Sequence, residues 1–321
     1  MPSEVASGSD PSGLPGSHRV RPSAIDNPNS SIFNKSRELL DMIKFEHTVF
    51  ALPFAFLGAL AGAQGMPSGE KILWILMAMV GARTAAMTFN RLADAEIDAD
   101  NPRTSTRAIP AGRVSRAAAY GMLGAAILLF EVAAGKLGPL CWKLSPLALL
   151  IILGYSICKR FTPFAHLVLG LSLAGAPLGA WIAVTGSMAA PAWMLALGVL
   201  TWTAGFDIFY ALQDQDYDRG VGLHSIPVAF GTKGALWTSR LLHLVALGAW
   251  GRFNFMVGAH ALPWLGWLGV AAILTREQWL VRDGRLDRMN EAFFTLNSFV
   301  GLIFFLGHLG EWLMVLQTTS L

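Results

Sequence analysis

Charge is scarce in this chain. Only 24 basic and 21 acidic residues occur in 321, or 14%, where a soluble domain carries roughly a quarter. With 54% hydrophobic residues and a mean hydropathy of +0.49, so few charges cannot solvate a globular surface of this size. A soluble globular enzyme, a disordered chain and a collagen are thereby excluded. Cysteine is nearly absent as well. Cys141 and Cys158 bracket one apolar stretch, and on a single helix they would stand roughly 25 Å apart, beyond the reach of a disulfide. They read as small core hydrophobes, and a disulfide scaffold is excluded. The net charge of +3 would suggest nucleic acid in a soluble protein. In this composition the basic residues instead mark cytosolic loops, and no nucleic-acid partner is expected. What remains is an all-α, polytopic membrane bundle.

Residues 1–35 are rich in Ser, Pro and Gly and contain no apolar run. They predict a disordered tail without a cleavable signal peptide. An interfacial helix is expected from near Ser36, and the membrane domain occupies 36–321. Spans of roughly 20 apolar residues number about nine. They lie near 48–66, 72–93, 117–135 and 140–158, then two between Arg160 and Asp207, then 234–251, 257–275 and 291–312. The two central spans share 46 residues without Asp, Glu, Lys or Arg and divide at Val184–Pro191. Alternation places twelve Lys and Arg residues in the connections on the tail's side and four (Lys71, Lys136, Lys143 and Arg252) opposite. The positive-inside rule makes the twelve-residue side cytosolic.

Eight of the 18 acidic residues outside the tail fall in two clusters at helix ends on that side. Asn90, Asp94 and Asp98 step by four and share one helix face. Asp207, Tyr210, Asp214 and Asp218 step by three or four and do likewise. Carboxylates so arranged repel one another, more strongly where water is excluded, so two such faces imply a positive partner between them. Mg²⁺ suits the pattern: it takes oxygen ligands and is held by one or two carboxylates plus substrate phosphates. Arg103, Arg107, Lys159 and Arg160 lie on the same side and would complement phosphate charge. Deeper in the second span sits Arg83, seven residues before Asn90, and deeper in the sixth sits Asp207, seven before Asp214. An arginine at depth normally faces a bundle interior or cavity. Either the two are counter-ions of each other, or they line a pocket in which Arg83 meets an anionic group. Arg91 and Glu96 point to other helix faces, and His47, His166 and His224 read as structural. Two plainer alternatives remain for the whole pattern: a solvated skirt of helix ends, and a cation transporter with an acidic vestibule. Transporters place binding carboxylates nearer the midplane, and the arginines here would repel a cation in transit.

The pairing of Asn90-x-x-x-Asp94-x-x-x-Asp98 with Asp214-x-x-x-Asp218 resembles the UbiA superfamily of intramembrane aromatic prenyltransferases. The segments Asp98–Pro110 and Tyr155–Thr162 resemble cytosolic loops of that family, and the similarity runs from about Lys44 to the C-terminus. Lys44–Pro53 and Asp207–Pro227 look like bacterial 4-hydroxybenzoate polyprenyltransferases, including the branch serving menaquinone through the futalosine route. The resemblance implies Mg²⁺-dependent transfer from an allylic polyprenyl diphosphate to an aromatic carboxylate, 4-hydroxybenzoate first, in ubiquinone or menaquinone biosynthesis. A futalosine-derived acceptor, a dihydroxynaphthoate or homogentisate are the alternatives. It further implies metal ligation by Asp94, Asp98, Asp214 and Asp218 with Asn90 orienting the first site. Diphosphate contacts fall to Arg103, Lys159 and Arg160, and the acceptor site to Arg83, Asp207 and Tyr210. Asp94, Asp207 and Asp214 would be catalytic, in a multi-pass protein of a bacterial inner membrane, with cytosolic active site and N-terminus and no obligate protein partner.

Overall fold

The computed structural model describes residues 48–282 and 295–319. The expected tail, the interfacial helix near Ser36 and the loop carrying Arg285 and Arg288 lie outside the described residues. Within them every regular element is helical: α1 (Thr48–Ala63), α2 (Gly69–Ala93), α3 (Ala95–Asp100), α4 (Arg116–Leu137), α5 (Pro139–Cys158) and α6 (Ala165–Thr185). There follow α7 (Ala190–Tyr210), a 3-10 turn (Ala211–Asp214), α8 (Gln215–Gly220), α9 (Ile226–Met256), α10 (Ala261–Leu280) and α11 (Asn297–Thr319). Among the described residues the longer helices coincide with the apolar stretches of the sequence. Six segments are long and apolar enough to cross a membrane by length and composition: α2, α4, α5, α6, the α7–α8 run Ala190–Gly220, and Asn297–Gln317. α1 is apolar but shorter, and α9 and α10 carry Lys233, Arg240, Arg252, Arg276 and Glu277.

Helix ends follow local chemistry. Ser68, Ser115 and Ser225 each accept a backbone N–H of the first turn, from Lys71, Ala118 and Val228, which caps α2, α4 and α9. The long uncharged stretch breaks where Gly186 takes a left-handed conformation (φ 69°) after α6 and Pro191 opens α7, the pairing of glycine stop and proline start. α9 bends at Gly231, whose φ of 67° interrupts the helix just after Phe230.

Neighbouring pairs α1–α6, α6–α7, α7–α9, α9–α10, α10–α11 and α11–α1 close a ring, while α2, α4 and α5 form a second group joined through α5–α6. The ring is filled with aromatics: Phe54 stacks on Trp250 at 5.2 Å between centroids and 16° between planes, and Trp202 and Phe304 pack on both. Small residues let backbones meet where lipid gives little driving force for association. A Cβ on Gly170 would lie 2.2 Å from the Leu200 carbonyl oxygen, and one on Gly58 2.3 Å from that of Pro177. Large apolar side chains such as Leu128, Trp142, Leu150, Trp193 and Leu244 are exposed on the outside, as a lipid-facing surface requires.

Candidate active site

Both acidic motifs interrupt their helices at the same place. The sequence reading carried each helix straight through its acids; instead α2 stops at Ala93 and α7 at Tyr210. Asp94 has φ −95° and ψ 5°, and Asp214 has φ −103° and ψ 3°, both in the sparsely used bridge region. A six-residue helix follows each, α3 and α8, with Asp98 and Asp218 buried in equivalent positions. Asp98 still lies one turn beyond Asp94, since its N–H reaches the Asp94 carbonyl at 2.7 Å, so the face expected from the spacing survives the break.

Direct contacts tie the two motifs together. The Tyr217 hydroxyl donates to the Ile97 carbonyl at 3.0 Å. Arg103 donates through Nε and Nη2 to the two oxygens of Asp214, at 2.9 and 2.6 Å. Arg107 holds both oxygens of Asp98 at 2.6 and 2.7 Å. Asn90 donates to Asp94 at 3.0 Å, and Arg160 stands 3.7 Å from the other Asp94 oxygen while donating to the Ala93 carbonyl. Lys159 is a charged neighbour of Asp94 and of Asp218. Burial, and then the Asp98 carboxylate, push the Asp94 carboxyl above its ordinary 3.8. Asp100 and Asp216 are exposed, and among the described residues Asp216 meets only the i+3 Arg219.

Among the described residues no three His, Cys, Asp or Glu side chains converge to hold a metal; the acids stand as two pairs, each with an arginine across it. The donor set nevertheless fits Mg²⁺. Every candidate ligand is an oxygen, two carboxylates per pair match an ion that completes its shell with water and phosphate, and the buried Asp218 Oδ2 has no hydrogen-bond partner.

Below this platform, Arg83 and Asp207 are not counter-ions. Asp207 pairs with His166, Nδ1 to Oδ2 at 2.7 Å, and the Arg83 Nε is buried without a partner. Arg83, Arg91 and Asp207 are the charged neighbours of Tyr155. Tyr210 is half-buried at the end of α7. Three residues were misjudged or passed over from sequence. Arg91 is buried and sits among Asp98, Asp94 and Arg107. Tyr155 carried no signal beyond its place in a resembling loop. His166 read as a helix-start histidine, and its partner lies 41 residues away.

The described residues thus form an all-helical bundle in which arginines join two facing acidic motifs at one end. Comparison with known proteins makes this specific. The UbiA prenyltransferase family matches residues 51–299, and the chain belongs to that family of prenyl-transferring enzymes. A 4-hydroxybenzoate octaprenyltransferase of Alkalilimnicola ehrlichii is 32% identical over 255 residues, 77% of this chain and 84% of the relative. One from Photobacterium profundum is 27% identical over 281 residues, 85% and 96% of the two chains. The apo structure of a UbiA homolog from Aeropyrum pernix superposes with a TM-score of 0.77 at 33% identity, covering 84% of this chain and 98% of that one. A homolog from Archaeoglobus fulgidus bound to GPP and Mg²⁺ shares the fold at TM-score 0.65 and 18% identity, over 84% and 99% of the chains.

Proposed function

We propose that the protein transfers a polyprenyl group from an allylic polyprenyl diphosphate to 4-hydroxybenzoate, with Mg²⁺, at the cytosolic face of a bacterial inner membrane. The observation that carries the reading is the pair of arginine-bridged acidic motifs facing each other above the half-buried Arg83, whose buried Nε has no hydrogen-bond partner among the described residues. The names of the bacterial relatives support the acceptor, and the magnesium-bound homolog supports the metal.

Asp94 with Asp98, and Asp214 with Asp218, would hold the metal, with Asn90 fixing the Asp94 carboxylate. Bound there, Mg²⁺ supplies charge neutralisation for the departing diphosphate. The chain's own cations act on the same charge. Arg103, Lys159 and Arg160 bind diphosphate oxygens, and the planar guanidinium of Arg103, now forked on Asp214, is shaped for a phosphate as well. Their stabilisation grows as the allylic C–O bond breaks and negative charge gathers on the leaving group. The aromatic acceptor lies beneath. Arg83 takes its carboxylate, and Asp207 accepts a hydrogen bond from its hydroxyl, which raises electron density on the ring. The hydroxyl directs attack to the ortho carbon because the carboxylate occupies the para position. Burial within the bundle keeps water from quenching the allylic cation, and Tyr210 packs at the rim. The ring proton is then lost to restore aromaticity.

Purified protein in lipid vesicles, given a labelled prenyl diphosphate and a panel of aromatic acceptors, tests this directly. Mg²⁺-dependent label transfer to 4-hydroxybenzoate is expected. Transfer that survives in both Asp94→Ala and Asp214→Ala would overturn it.

A further inference from the structure

His166 joins three elements of the bundle. It is fully buried at the start of α6 yet spans two other elements, meeting Asp207 of α7 through Nδ1 at 2.7 Å and the backbone N–H of Ile226, at the start of α9, through Nε2 at 3.5 Å. A backbone N–H can only donate, so Nε2 is the lone-pair nitrogen and Nδ1 carries the proton. Nδ1–H then donates to Asp207 Oδ2. The other carboxylate oxygen, Oδ1, takes no hydrogen bond from a described residue, and the Asp207 side chain keeps 21% of its surface accessible.

The segment that Ile226 closes is fixed to the diphosphate side of the site. The N–H of Leu223 donates to the Asp218 carbonyl at 2.8 Å, and that of His224 to the Lys159 carbonyl at 2.7 Å. A continuous chain thus runs from Asp207 through His166 to the backbone that carries Asp218 and Lys159.

We propose that His166 is a positioning residue for the acceptor. It occupies one oxygen of Asp207 so that the other meets the acceptor hydroxyl in a fixed direction, and it sets that direction relative to the acidic motif above. The inference rests on Asp207 being the acceptor's hydroxyl partner. A misplacement of about 1 Å at a reacting centre costs on the order of 100-fold in rate, so the loss should appear in turnover more than in donor binding.

Two substitutions separate this role from packing. His166→Asn places an amide N–H close to where Nδ1–H stands and keeps the bond to Asp207, while His166→Leu fills similar space with no donor. His166→Leu is expected to lower kcat on the order of 10- to 100-fold with the KM for prenyl diphosphate unchanged. His166→Asn is expected to restore kcat to within about threefold of wild type, since it keeps the donor that matters. In an Asp207→Asn background His166→Leu should add nothing, because the two act as one unit. Wild-type kinetics in His166→Leu, or equal losses in both variants, would overturn the proposal. Unchanged acceptor kinetics in Asp207→Asn alone would instead remove the acceptor reading on which it rests.

Discussion

Arg83 offers a test in which stability and activity should move in opposite directions. Its Nε is buried without a hydrogen bond, and no ion pair with a described residue compensates its charge. An unpaired charge within a membrane bundle disfavours the folded state, so replacing it should relieve the fold. The substitution Arg83→Met keeps an unbranched apolar stem and removes the guanidinium. The unfolding temperature of the substrate-free variant should equal or exceed that of the wild type. Acceptor recognition should fall, because a hydrogen bond to a charged group is worth about 1.5–3 kcal/mol. That corresponds to roughly 10- to 150-fold in kcat/KM for 4-hydroxybenzoate. The donor should be unaffected: the cations placed around the acidic motifs are Arg103, Arg107, Lys159 and Arg160, and Arg83 lies two helical turns below Asn90.

The assay is steady-state kinetics in each substrate separately, with thermal unfolding of the same preparations in detergent. A simple phenol lacking the carboxylate makes an internal control. The wild type should use it poorly, and Arg83→Met should use it no worse. Equal rises in donor and acceptor KM, or a lowered unfolding temperature that accounts for the lost activity, would refute the assignment of Arg83 to the acceptor carboxylate.

The metal platform should respond to pH through Asp94. Its carboxyl lies above the ordinary value because of burial and Asp98, and a cation must displace that proton. The Mg²⁺ concentration for half-maximal activity should therefore rise as pH falls toward the carboxylate range. The metal-free protein should gain stability over the same interval, since its folded state binds the proton more tightly; a flat magnesium requirement would count against Asp94 as a ligand. Arg103→Ala frees Asp214 from its guanidinium and should tighten Mg²⁺ binding without donor while raising the KM for prenyl diphosphate, both measurable by titration calorimetry and kinetics. Parallel weakening of both would contradict the shared use of Asp214. Gly170→Ala drives a methyl to 2.2 Å from the Leu200 carbonyl oxygen, backbone that cannot rotate away, and should destabilise the protein by about 1–3 kcal/mol. Gly175→Ala on the same helix meets nothing within 4 Å and should unfold no earlier than wild type.

How much of this was legible beforehand depended on the range of each interaction. The helices were readable because lipid imposes length and apolarity on each stretch, and the Gly186–Pro191 division used residues whose backbone preferences act locally. The acidic motifs were readable because a spacing of four residues puts side chains on one face whatever happens elsewhere. The breaks at Asp94 and Asp214 were not, since nothing in Leu92-Ala93-Asp94-Ala95 forbids a continuous helix. The pairings across the site were also hidden: Arg103 meets Asp214 across 111 positions and His166 meets Asp207 across 41. Both join segments far apart in sequence, and no local pattern announces them.

The breaks have a consequence for the chemistry. Beyond the breaks both second acids are buried, and Tyr217 and Arg103 link one motif to the other. Buried carboxylates repel one another more than exposed ones, and Arg103 and Arg107 offset that repulsion by pairing with Asp214 and Asp98. On the proposed function a diphosphate would compete for the Arg103 guanidinium. Its arrival would release the Asp214 carboxylate at the moment that a cation is needed to balance both, so donor and metal should bind with positive cooperativity. Removing the ion pair with Arg103→Ala should weaken that cooperativity, and an undiminished coupling in the variant would place its origin elsewhere.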